Sequence, residues 1–185
     1  LFSGGAPSLL SGTLAPGQSL LVGLAASATG TALPTPFLAG NPATNLSATS
    51  GKVALVRSVD GLACNGGSTP CGPAQLAQLV DLVGYGSASF FEGDAAAPAA
   101  SAASALFRGG AGGGGGCVDR FSNDLDFASG PPLPRTAASP LEPCPTGPAV
   151  ELAVSTAFAS ELDRSAIVVR ATTDAPVVGG QSVAL

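Results

Sequence analysis

Residues 80–93 read VDLVGYGSASFFEG: an apolar run ending in Gly84-Tyr85-Gly86, then small residues, Phe90-Phe91, Glu92 and Gly93. Two readings compete, a glycine loop that cradles a phosphate or the end of a core strand. Phosphate loops need glycines at set positions. Here Ala88-Ser89 stand where a third glycine should be, and nothing in the chain matches G-x-x-x-x-G-K-[ST]. With no basic neighbour, the run Leu79-Val80-Asp81-Leu82-Val83 is expected to be a central strand with Asp81 on its less buried face. The glycines then mark a bulge or tight exit. Phe90 and Phe91 would cap the core, while Glu92 and Asp94 face water.

Outward from that strand the chain reads as turn-rich β structure. Glycine (26) and proline (16) exceed a fifth of the 185 residues, and charged residues are 10%. Residues 8–26, SLLSGTLAPGQSLLVGLAA, hold two apolar runs around Pro16-Gly17, where Pro sets the first central position of a type II turn and Gly takes positive φ at the second. A hairpin is expected there, then a long proline-bearing loop over 33–50 and a compact strand in GKVALVRSV, 51–59. A helical turn fits Pro73 to Gln78. Residues 95–107 carry alanines but also Pro98 and two serines, so they read mostly as loop, with Ala105-Leu106-Phe107-Arg108 entering a strand. GGAGGGGG at 109–116 is expected to be a mobile surface loop tethered by Cys117. Seven prolines between Pro131 and Pro148 predict a semi-rigid linker over 131–148. Beyond it VELAVSTAF, SAIVVRAT and APVVGGQSVAL are strand-like, too few to make a core, so 149–185 is expected to begin a second β-sandwich domain. The chain has no methionine and is expected to be a piece of a longer or processed protein.

Composition also bounds function. Lysine plus arginine total 7 against 12 acids, a net charge of −5, which weighs against a nucleic-acid partner. No apolar run approaches the roughly 18 to 20 residues of a membrane span. Histidine is absent and lysine occurs once, at Lys52, so Ser/His/Asp and Cys/His catalysis are excluded and a Ser–Lys pair is disfavoured. Carboxylates that could cut a glycosidic bond, Glu92 with Asp94 or Asp119 with Asp124 and Asp126, read better as solvated loop acids. Cys64, Cys71, Cys117 and Cys144 contain no C-x-x-C pair, and without histidine the common zinc and haem sites are disfavoured. An even number of cysteines in Gly/Pro-rich surroundings favours disulfides and an oxidising compartment over four buried thiols. Cys64 and Cys71 frame the short loop CNGGSTPC and are expected to pair, leaving Cys117 with Cys144. The one metal candidate is the loop 119–126, where Asp119, Asn123 and Asp126 could offer oxygens to calcium; a turn held by Asx hydrogen bonds is the competing reading.

The order of short motifs resembles a known family. Leu14, Pro16-Gly17 and Leu20-Leu21-Val22; Asn45-Leu46-Ser47; Gly51-Lys52-Val53-Ala54-Leu55-Val56; Val80 to Gly86; Phe91-Glu92-Gly93; Ala97-Pro98; Cys117 with Asp119; Asn123; Asp126-Phe127 and Pro134-Arg135 look like the bacterial secreted lamin-tail domain over residues 8–140. The tail from about Ala149 is similar to the start of Calx-beta-like repeats. The resemblance implies an all-β fold: an incomplete immunoglobulin-like β-sandwich over 1–130 lacking its first strands, plus a few strands of a second sandwich. It further implies a non-catalytic binding or tethering module of a secreted or cell-surface multidomain bacterial protein, with no catalytic residues and no obligatory cofactor. The partner would be an unknown protein or cell-surface ligand, and such modules accompany extracellular nucleases and phosphatases. The alternatives are a calcium-stiffened adhesion repeat, or part of a hydrolase whose catalytic domain lies outside this chain. Two departures stand out. Relatives often carry a cysteine where this chain has Phe90, which implies that Cys117 has changed partner to Cys144. They also tend to have an acid where Phe121 stands.

Overall fold

The computed structural model describes residues 7–25, 31–110, 116–144, 150–154 and 169–173, which belong to two compact units, Leu1–Cys144 and Pro145–Leu185. Short strands dominate, with two four-residue helices. In the first unit β1 (Val22–Gly23) pairs in parallel with β2 (Leu38–Ala39), and β3 (Gly51–Val56) pairs antiparallel with β4 (Leu79–Tyr85). Helix α1 (Pro73–Leu76) precedes β4, with its proline in the first turn, where a missing N–H costs nothing. Strand β5 (Ala105–Arg108) pairs antiparallel with β6 (Phe127–Gly130), directly after helix α2 (Asn123–Asp126).

The β3–β4 pair carries the core, as its aliphatic composition requires. Ala54 and Leu82 are register partners and are buried, together with Leu62 and Cys64 from the connection between the strands. Leu62 and Leu82, 3% and 6% exposed, each contribute about 1.5–3 kcal/mol of burial free energy. The glycines of the opening stretch now have a physical role. A Cβ on Gly84 would lie 2.2 Å from the Phe90 carbonyl oxygen, and Gly86 sits at φ +63° with the Thr49 carbonyl 2.1 Å from where its Cβ would be. They permit close backbone approach on either side of Tyr85, whose buried hydroxyl donates to the Ser47 carbonyl at 2.6 Å.

The outer edge of β4 is closed by other means than a strand ladder. Ala97 N–H donates to Gly84 O at 2.8 Å and Gly86 N–H to Ala97 O at 2.9 Å. Next to them the side-chain amide of Asn123 accepts from Gly84 N–H at 2.7 Å and donates to Leu82 O at 2.9 Å. One carboxamide thus occupies the place of a peptide group.

Several elements differ from expectation. The Pro16-Gly17 turn forms, with Gln18 N–H on Ala15 O at 2.9 Å and Gly17 at φ +77°, but among the described residues no strand precedes it. Leu9, Leu10 and Leu14 stay exposed, and the Ser8 hydroxyl accepts from Asn41 N–H at 2.8 Å, so β1 pairs with β2 inside the expected loop instead. Residues 131–144, expected within a linker, are held in the first unit. Cys144 is bonded to Cys117, Glu142 N–H donates to Gly17 O at 3.0 Å, and Arg135 pairs with Glu142 at 2.7 Å. The second disulfide joins Cys64 to Cys71.

In the second unit β7 (Val150–Val154) pairs antiparallel with β8 (Val169–Thr173). The expected strand over 175–185 and most of the glycine run, 111–115, lie outside the described residues.

Candidate functional site

Asp119, Asn123 and Asp126 are brought near one another, but their oxygens have local work. Asn123 is fully buried, and beyond its two bonds to β4 its Oδ1 also accepts from Glu92 N–H at 3.2 Å. The Asp126 carboxylate, 2% exposed, accepts Arg120 N–H at 3.0 Å on both oxygens and Ser122 N–H at 3.4 Å. Asp119 accepts Phe121 N–H at 3.0 Å in an Asx turn that sets Phe121 at φ +55°. Among the described residues no group of three or more His, Cys, Asp or Glu side chains is arranged to hold a metal ion.

Arg108 ties these acids to β4. Its Nη2 donates to both Asp81 oxygens at 2.7 and 2.8 Å, and its guanidinium stacks 4.8 Å from the centre of the Phe127 ring. Nη1 lies 3.2 Å from Asp119 and 3.7 Å from Asp126 without meeting hydrogen-bond geometry with either. Glu92 faces this cluster, and one of its carboxylate oxygens is buried without a partner. This differs from the water-facing position expected for it. Desolvation first, then the charges of Asp119, Asp81 and Asp126 against the lowering effect of Arg108, hold its carboxyl above the ordinary glutamate range. A recess of about 280 Å³ opens beside Asp81 and Glu92, but Arg108 occupies both Asp81 oxygens, so no free carboxylate pair faces a substrate.

A larger opening than this recess is also present. A cleft of about 560 Å³ runs between β3, the 45–50 loop and the disulfide-closed loop. Each wall has its own cause. The 45–50 loop is pinned by the Tyr85 hydroxyl on Ser47 O. The disulfide loop is shaped by Asn65, whose Oδ1 accepts Gly67 N–H at 2.9 Å and Thr69 N–H at 3.0 Å. Gly66 lies at φ +68° with Phe90 so close that a Cβ there would strike its ring. Across the cleft Lys52 donates to Asn65 O at 2.7 Å and to Ser89 Oγ at 2.9 Å. An ammonium has three donors and no acceptor, so one N–H of Lys52 remains for a ligand. Among the described residues no acid lines the cleft, and Lys52 is its one charged group. In the sequence Lys52 stands out only as a disfavoured Ser–Lys base. Its signal was that the chain's single lysine sits on a core strand beside a cysteine loop.

Neither a protein-family model, nor a curated protein, nor a solved structure matches the chain. Among the described residues no helix is long and apolar enough to cross a membrane.

Proposed function

We propose that the chain is a non-catalytic binding module of a secreted or cell-surface multidomain protein, built as a lamin-tail-like, immunoglobulin-type β-sandwich with the start of a Calx-beta-like domain behind it. The observation that carries the reading is the 560 Å³ cleft, whose one ionisable group donates two of its three N–H groups to its own walls and keeps the third for a ligand. Lys52 positioned in this way recognises a ligand and has no lone pair to take a proton from one. Two disulfides support residence in an oxidising compartment.

The test is to present the oxidised chain with immobilised extracellular polymers and with acidic and neutral peptides, while assaying hydrolysis of chromogenic esters, phosphates and glycosides. Saturable binding without turnover is expected. Turnover of any substrate that survives repurification of the chain refutes the module reading.

A further inference from the structure

The lining of the Lys52 cleft narrows the ligand. Its polar lining includes Lys52, Asn45 and Thr69, and the side chains of Asn45 and Thr69 make no hydrogen bond among the described residues. Leu46, Leu62 and Phe90 give the same cleft an apolar lining. A single uncommitted ammonium donor beside neutral amide and hydroxyl groups suits one negative charge. A phosphate carries close to two and is better met by several cations or an arginine fork. Polyanions such as nucleic acid are further opposed by a net charge of −5. Sugars stack on Trp and Tyr, and this cleft offers neither. An anionic head joined to an apolar body remains, within a volume ordinary for small-ligand pockets.

We propose, resting on the module reading above, that this cleft captures the free carboxyl end of a polypeptide whose last residue is nonpolar. The α-carboxylate takes the third N–H of Lys52 with Asn45 and Thr69 beside it, and the terminal side chain lies against Leu62 and Phe90. The rim is prebuilt, because the Cys64–Cys71 bond and the Asn65 hydrogen bonds hold the disulfide loop in place without ligand.

Fluorescence polarisation with a labelled Gly-Ser-Ala-Leu peptide, carrying either a free carboxylate or a carboxamide at its C-terminus, tests this on the oxidised chain. The carboxylate form is expected to bind at least about tenfold more tightly, the scale of one charge-assisted hydrogen bond. Lys52→Met should abolish that preference and Lys52→Arg should retain part of it. Asn45→Ala, on an exposed loop and harmless to folding, should weaken the carboxylate peptide alone. Equal binding of the two peptides, no binding of either, or Lys52-dependent binding of an oligouronate in their place overturns the proposal. In those cases saturable binding of another extracellular polymer without turnover leaves the module reading standing.

Discussion

Replacing Asn123 by alanine should strongly destabilise the first unit, and the size of the loss follows from its bonds. The side chain is fully buried and satisfies three backbone groups: Gly84 N–H at 2.7 Å, Glu92 N–H at 3.2 Å and Leu82 C=O at 2.9 Å. Truncation removes all three partners at once. Each buried group left unpaired costs about 1–3 kcal/mol, so the sum is roughly 3–6 kcal/mol after discounting the longest bond. Set against a total stability of about 5–15 kcal/mol, that is a large share. Asn123→Asp separates the terms: it keeps both acceptors, loses the donor to Leu82, and brings a carboxylate against a carbonyl beside Glu92 and Asp126. It should be no more stable than the alanine variant. Urea unfolding followed by the emission of Tyr85, the sole tyrosine in a chain without tryptophan, measures both. A midpoint lowered by roughly 10–20 °C in thermal melts is the companion expectation. A loss below about 1 kcal/mol for Asn123→Ala would refute the idea that the amide stands in for a strand.

Replacing both Cys64 and Cys71 by serine should cost about 2.5 kcal/mol, and replacing Cys117 and Cys144 about 3.5 kcal/mol, from loop lengths set by separations of 7 and 27 residues; equal losses in urea titrations would contradict the loop-length account. Because the folded pKa of Glu92 is raised, its contribution is fully present below the ordinary glutamate range and is lost as pH rises through the raised value. Stability should therefore fall across that window, and Glu92→Gln should flatten the curve and be more stable than wild type at neutral pH; a variant curve parallel to wild type would sink this. The Tyr85 hydroxyl is likewise raised by desolvation, so phenolate absorbance should appear only at a pH above that of free tyrosine, together with unfolding. Thermal midpoints in chelator and in millimolar calcium should coincide, since both Asp126 oxygens, the Asn123 Oδ1 and one Asp119 oxygen already accept hydrogen bonds; a rise of several degrees with calcium would return those residues to a cation-binding role.

The strands β3 and β4 were legible because aliphatic, β-branched runs bounded by glycines have few other uses, and the turn at Pro16-Gly17 because its chemistry is local. The Cys64–Cys71 loop was legible from its short span. What escaped depends on distant partners. The parallel pair β1–β2 consists of two-residue strands, too short to leave a period in the sequence, and β6 is only Phe127–Gly130. The enclosure of one Glu92 carboxylate oxygen accompanies the hydrogen bond from Glu92 N–H to Asn123, a contact 31 residues away that no local pattern announces. The same holds for Lys52: its place in a cleft arises from residues 13 and 37 positions on, through Asn65 and Ser89. The acids at 119–126 lie close together in the sequence, but composition does not distinguish a carboxylate waiting for a cation from one already holding backbone N–H groups.

The carboxamide set into the outer edge of β4 also bears on how the folded chain behaves in a crowd. A strand edge with unpaired N–H and C=O groups is a template onto which another copy can add and begin a fibril. Here Leu82, Gly84 and Gly86 present no such row, since Asn123 and Ala97 have taken it with a side chain and a loop that cannot propagate a ladder. Strand β4, which carries the buried Leu82 and Tyr85, is thereby closed to growth on that side, and the residue whose loss would expose it is the same one whose loss would most weaken its packing.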